Sequence, residues 1–191
     1  ERGRLNLKNK LNDLTGKEWI KFTKSWFIHR PPKRKKDEIL HPAKFPESLV
    51  IDFISFFTKE NDWVFDPFLG TGSTLIAAGK LRRNGVGIEL TKHFYNTAKS
   101  RIEKEEFKTE VKPLLGSSEE IKKIFEKNKI AGRLFDYSIT SPPYWNQLER
   151  NNLRQKLRSD NGLSTKYSNE KNDLGNIKSY EEFYKMHADN I

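Results

Sequence analysis

The sequence contains no cysteine. Disulfides, thiolate metal sites and a cysteine nucleophile are therefore excluded. The histidines, His29, His41, His93 and His187, are scattered without metal-ligand spacing, so no metal site is expected. No apolar run approaches the ~18 residues of a membrane-spanning helix, and no secretory leader opens the chain. A cytoplasmic protein with no membrane partner is the expectation. Positive charge, by contrast, is plentiful: 36 Lys and Arg against 26 Asp and Glu, a formal net charge of +10 over 191 residues. That excess suits a polyanionic partner, nucleic acid first, or equally a lysine-rich solvated surface.

The length allows one sizeable core with a small appendage. The chain opens on Glu1 rather than methionine and stops at Ile191 inside a helical pattern, so a piece of a longer protein is expected. Residues 1–37 form an aromatic and basic segment. In it Trp19, Phe22 and Trp26 recur at helical spacing, which predicts packing on the core rather than a base-stacking platform. The run Arg30-Pro31-Pro32-Lys33-Arg34-Lys35-Lys36 reads as a basic loop, either phosphate-contacting or a solvated linker. Its Arg30, Lys33, Arg34, Lys35 and Lys36 are candidate nucleic-acid contacts.

A helix is predicted over 46–58, with Pro46 in its first turn and Leu49, Phe53, Phe56 and Phe57 on its apolar face. Strands and helices then alternate. Strands are predicted at 63–68, 86–90, 111–115 and 135–140, and helices at 72–82, 91–105 and 118–128. The expected fold is α/β, with a mostly parallel sheet covered by helices on both faces and a core over 38–145. Residues 146–177 are polar and read as a mobile loop or insertion, and 178–191 as a last helix. Ligands of such sheets bind beyond the carboxyl ends of the strands.

At the first such end stands Asp66-Pro67-Phe68-Leu69-Gly70-Thr71-Gly72-Ser73-Thr74. Glycines there let a ligand approach the backbone, and the following helix start offers unpaired N–H groups. A nicotinamide fingerprint is incomplete, because Leu75 stands where a third glycine belongs, and no phosphate-binding G-x-x-x-x-G-K-[ST] loop fits. Asp66 would repel a pyrophosphate but accept from an ammonium, and Glu89, ending the next strand, is placed to hold ribose hydroxyls.

This stretch resembles the D-P-F-x-G-x-G-[ST]-[ST] cofactor motif of amino-methylating DNA methyltransferases. His41-Pro42-Ala43-Lys44-Phe45-Pro46-Glu47 resembles the family's H-P-x-[KQ]-x-P-E stretch, which precedes the helix flanking the cofactor's methionine moiety. Val86–Leu90 with Thr91, Phe94 and Tyr95 resembles its G-I-[DE] strand and following helix. The resemblance covers roughly 40–105 and 133–146. It implies a Rossmann-like methyltransferase fold and S-adenosyl-L-methionine as cofactor. Asp66, Gly70 and Gly72 would contact that cofactor and Glu89 its ribose. Pro67, Phe68, Thr71, Ser73 and Thr74 would line the turn, with His41, Pro42 and Lys44 on the methionine side. Family members often carry an acid near the adenine at the third strand's end. Gly116-Ser117-Ser118 has none there, which leaves Ser117 as the candidate contact.

The fourth strand ends in Thr140-Ser141-Pro142-Pro143-Tyr144-Trp145. Two prolines fix the backbone and remove two donors, so carbonyl oxygens and the Ser141 hydroxyl are left as acceptors. An exocyclic base amine has two N–H groups for such acceptors. Accepting them turns the nitrogen lone pair toward a methyl–sulfonium bond, for direct in-line transfer without a covalent enzyme intermediate. A base inside a duplex must be flipped out to arrive there, with Tyr144 stacking on it and Trp145 as a further nucleic-acid contact. Ser141, Pro142, Pro143 and Tyr144 are thus the candidate catalytic residues.

In the resembled family [DNS]-P-P-[YFW] marks amino-group methylation, and its serine form is associated mostly with N4 of cytosine. The expected function is DNA methylation at cytosine N4 in a specific site, either paired with a restriction system, whose cognate endonuclease is then a partner, or acting alone. N6 of adenine is the nearest alternative. An RNA or protein-amide methyltransferase with an N-P-P-Y turn comes next, and a catalytically silent nucleic-acid-binding module last. The missing cysteine excludes the thiolate route to carbon-5 methylation. Only 75 residues separate Asp66 from Ser141, enough for two strand–helix units and no recognition domain. That domain is expected in 146–177, past Ile191 or on another chain. The resembled sheet has seven strands and four are found, so the fold is expected to be truncated after the fourth, its remainder lying beyond Ile191 or on a partner chain.

Overall fold

The computed structural model describes residues 9–24, 26–29, 46–145, 153–160 and 173–188, with 166, 168 and 170 besides. Its centre is a four-stranded sheet, all parallel, of β1 (Trp63–Asp66), β2 (Asn84–Glu89), β3 (Val111–Leu115) and β4 (Tyr137–Ser138) in the order β3-β2-β1-β4. The helices between them are α3 (Ser73–Lys80), α4 (Lys92–Ile102) and α5 (Ile121–Lys127), the last entered through a 3₁₀ turn at Ser118–Glu120. Ahead of the sheet stand α1 (Gly16–Phe22) and α2 (Glu47–Phe57), and after it α6 (Leu153–Asp160) and α7 (Tyr180–Ala188). The Rossmann-like α/β expectation holds, with β3 at its expected bounds and the other element ends shifted by at most three residues.

The alternation along the strands sorts two cores onto the two faces. Val86, Ile88 and Leu114 point to α5, where Ile124, Trp63, Phe65 and Phe135 complete one cluster. Val64 points the other way, to Val50 and Ile54 of α2 and to Ala77 and Ala78 of α3. On that second face β2 carries Gly85 and Gly87 instead of side chains. A Cβ at Gly85 would meet Leu75 at 2.7 Å and one at Gly87 would meet Leu69 at 2.8 Å. Small residues therefore let α3 and the loop before it lie close on the sheet.

β4 pairs only through Val64↔Tyr137 and Phe65↔Ser138. The pairing is extended at either end by Asp136 N–H to the Trp63 carbonyl (2.9 Å) and Ile139 N–H to Phe65 (3.1 Å). The chain runs from β1 to β2 and β3 on one side and crosses to β4 on the other. The junction of β1 and β4 is thus the point where strand order reverses, the usual ligand position in open α/β sheets.

The amino-terminal segment docks by aromatic stacking. Trp19 and Phe22 of α1 meet Phe56 of α2 at centroid distances of 4.9 and 5.4 Å. Trp26, expected on the same stripe, is instead 66% exposed, because α1 stops at Phe22 and the helical spacing does not continue. Phe27 takes its place against Phe22 and Phe53. Buried Arg83 fastens the segment, donating to the Thr58 hydroxyl (3.0 Å) and carbonyl (2.7 Å) and pairing with Asp13 at 3.1 Å.

Within 146–177, read from sequence as a polar mobile loop, the described residues include α6 and a 3₁₀ turn, Leu174–Asn176. Asp173, Leu174 and Gly175 of that turn are buried. No helix among the described residues is long and apolar enough to cross a membrane.

Candidate active site

The loop from β1 to α3 turns on two left-handed glycines, Gly70 (φ 57°) and Gly72 (φ 89°). Gly72 closes the turn by donating to the Leu69 carbonyl at 3.1 Å, then caps α3 from the left-handed region. A Cβ on Gly72 would lie 3.0 Å from that of Ala98, so α4 packs on the place a side chain would need. Leu69 N–H donates to the Ile88 carbonyl at 2.8 Å, which seats the loop across the end of β2. Arg101 of α4 braces the other side, donating to the Thr71 carbonyl and pairing with Glu47 of α2. Nothing in the residue pattern singled out Arg101, which sits a helix away from the motif it supports.

Three acids belong to the strand ends. Asp66 is 2% exposed. Its carboxylate accepts from Thr74 Oγ1 (2.5 Å), Thr140 Oγ1 (2.8 Å) and Phe68 N–H (3.0 Å). Burial raises its pKa, and the same three donors oppose the rise. The Thr140 bond joins the end of β1 to the residue before Ser141, so one carboxylate ties the glycine turn to the proline turn. Glu89 accepts from Gly70 N–H and Thr91 N–H, both at 2.8 Å. Burial pushes its pKa up to about 7, against the pull of those two donors and with a smaller push from Asp66. With the Thr91 side chain as a third donor, the carboxylate still keeps an acceptor site for a ligand hydroxyl. At the end of β3, Ser117 Oγ accepts from Glu119 N–H at 3.3 Å and starts the 3₁₀ turn. That turn brings Glu119 onto the rim, an acid that the strand-end sequence Gly116-Ser117-Ser118 does not reveal.

These ends surround one open cleft of about 900 Å³, mouth included. Of the expected cofactor contacts, Asp66, Pro67, Phe68, Gly70, Thr71, Ser73, Thr74, Glu89 and Ser117 line it, and so do Ser141 and Pro143 of the proline turn. Gly72 does not line it; its part is the turn beneath. Pro142 is half-buried outside the lining. Tyr144 is 54% exposed, with its hydroxyl 2.9 Å from Ser141 Oγ. Trp145, expected at a nucleic-acid surface, donates its indole N–H to the Ile177 carbonyl (2.8 Å) and packs on Tyr180 and Phe183 of α7. His41, Pro42, Lys44, Arg30, Lys33, Arg34, Lys35 and Lys36 lie outside the described residues. Leu90, Thr91, Phe94, Asp173 and Leu174 also line the cleft, unforeseen. Among the described residues no group of acids and histidines is arranged to hold a metal ion.

The sequence profile of the family described as DNA methylase, N6_N4_Mtase, matches residues 4–100. The chain belongs to this DNA methylase family. Its relatives include the type II methyltransferase M2.LlaDCHI of Lactococcus lactis subsp. cremoris, 41% identical over 64 residues, covering 34% of this chain and 24% of that protein. The type II methyltransferase M.MthZI of Methanothermobacter thermautotrophicus is 45% identical over 60 residues, covering 31% and 17%. A crystal structure of the M1.HpyAVI–SAM complex is 35% identical, with a TM-score of 0.33, covering 40% of this chain and 42% of that one. The chain thus spans about a quarter or less of the length of these two relatives.

The chemistry of the cleft fits an extended adenosyl ligand. Its strands lie in a row, ~4.8 Å apart, so the ends of β3 and β4 are about 14 Å from each other. Along that row stand Ser117 and Glu119, then Glu89, then the glycine turn with Asp66, then Ser141. Ser73 Oγ, buried at the start of α3 and lining the cleft, has no hydrogen-bond partner among the described residues. A buried hydroxyl without a partner is costly and is suited to a ligand's polar group.

Proposed function

We propose that this chain carries the cofactor-binding and catalytic part of a DNA amino-methyltransferase that uses S-adenosylmethionine. The observation that carries the reading is the convergence of the β1 and β4 turns on one cleft, joined through the Thr140–Asp66 hydrogen bond of 2.8 Å. S-adenosylmethionine supplies a methyl group on a cationic sulfur. Glu89 accepts the ribose hydroxyls, Ser117 and Glu119 face the adenine, and the glycine turn with Ser73 takes the methionine portion. Thr140, held by Asp66, fixes where the proline turn begins, so the acceptors of Ser141 and the proline carbonyls stand still relative to the cofactor turn. Tyr144, half in solvent, stacks on a flipped base while its hydroxyl holds Ser141 in place.

The target is an exocyclic amine, cytosine N4 in first place from the serine form of the turn. Double-stranded DNA is the substrate and a restriction–modification system, with its endonuclease, the setting. The test is transfer of labelled methyl from S-adenosylmethionine to DNA followed by nucleoside chromatography. Labelled N4-methylcytosine supports the full reading, and N6-methyladenine replaces only its target. Label in RNA or protein with none in DNA refutes it.

A further inference from the structure

Asp173 is 5% exposed and lines the cleft beside Leu174, on a turn that no motif marked. The carboxylate is held by Gly175 N–H at 2.8 Å and the Ser168 hydroxyl at 2.5 Å. Asn176 locks the same turn, donating to the Ser168 and Glu170 carbonyls at 3.0 and 2.9 Å. The turn is fastened to the proline turn's side of the cleft, because the indole of Trp145, next after Tyr144, donates to Ile177 at 2.8 Å. Among the described residues Asp173 forms no ion pair with a Lys, Arg or His.

A buried carboxylate with two donors keeps lone pairs free, and a carboxylate without a counter-charge is suited to a cation nearby. Asp66 already serves Thr74, Thr140 and Phe68 N–H, while Glu89 and Glu119 stand at the ends of β2 and β3. Asp173 is therefore the carboxylate with charge to spare on the Ser141 side. If the cleft holds S-adenosylmethionine as proposed above, that side is where the sulfur lies. The sulfur is cationic before methyl transfer and neutral in the product, S-adenosylhomocysteine.

We propose that Asp173 is the counter-charge at the reactive end of the cleft, and that it biases the cleft toward the cationic cofactor and against the neutral product. Its carboxylate acts across space on the sulfonium. No proton moves to or from Asp173, and no bond to it forms.

The test is calorimetric titration of the full chain with S-adenosylmethionine, S-adenosylhomocysteine and sinefungin, whose amine is cationic at the place of the sulfonium methyl. Asp173→Asn keeps the side chain's shape and its acceptor for Gly175. It should weaken S-adenosylmethionine and sinefungin by about tenfold, as expected for loss of one partly screened charge interaction, and shift S-adenosylhomocysteine by less than about twofold. Ser168→Ala, which loosens the turn but leaves the carboxylate, should preserve the ratio between charged and neutral ligands. Equal weakening of all three ligands by Asp173→Asn, or no weakening of any, overturns the proposal. So does collapse of the ratio in Ser168→Ala, since the effect would then belong to the turn's shape. If the unaltered chain binds none of the three, the cofactor reading itself has failed and this inference falls with it.

Discussion

Glu89 offers the sharpest quantitative check on the cleft. Its pKa is raised from 4.5 to about 7, chiefly because the carboxylate is buried. A folded-state value above the unfolded one means that folding favours the protonated acid. The resulting stability is complete below about pH 4.5 and is lost as pH rises through about 7. Between pH 5 and pH 8 the loss from this one group comes to about 2.5 kcal/mol. Glu89→Gln removes the titration while keeping the shape. It also gives up one of the two hydrogen bonds from Gly70 and Thr91, a pH-independent cost of about 1 kcal/mol. The variant should therefore be near the parent or below it at pH 5 and more stable at pH 8. Urea unfolding of both proteins, without ligand, across that range reads the difference directly, since groups untouched by the substitution cancel. A stability difference that stays flat from pH 5 to pH 8 would refute the assignment of a buried, destabilised carboxylate at the end of β2.

Three further outcomes follow from contacts described above. Gly72→Ala forces a left-handed backbone on alanine, worth about 1–2 kcal/mol, and sets a Cβ 3.0 Å from Ala98; stability should fall by about 2 kcal/mol or more in denaturant titration, with cofactor affinity falling too. Tyr144→Ala should abolish methyl transfer to DNA while calorimetry finds cofactor affinity nearly unchanged; parallel loss of both would contradict its place beside the base. Arg83→Met removes the cation beside Asp13 and the donor to the Thr58 carbonyl, and should cost about 3 kcal/mol in thermal unfolding, with the aromatic emission of the docked Trp19 segment shifting first.

The strand–helix alternation over 63–140 was legible because period-2 and period-3.6 patterns are local, and because Gly70, Gly72 and the paired prolines restrict the backbone wherever they occur. For the same reason Asp66, Glu89 and Ser141 could be named in advance as strand-end groups. The family profile covers 4–100 and so takes in Asp66 and Glu89 but not Ser141.

Tertiary structure alone decided which distant groups meet. The Thr140–Asp66 bond, Arg101 against Thr71 and Glu47, and Glu119 carried to the rim by a 3₁₀ turn join parts of the chain that no periodicity relates. Trp26 shows the converse, since its spacing was right and its helix ended one turn too soon. Asp173 is the extreme case. It lies in a polar stretch without pattern, and reaches the cleft only because Trp145 and Ile177 hold its turn against the proline turn. A sequence determines which residues have the chemistry to serve a site; burial and cross-chain hydrogen bonding, which depend on the whole fold, determine which of them do.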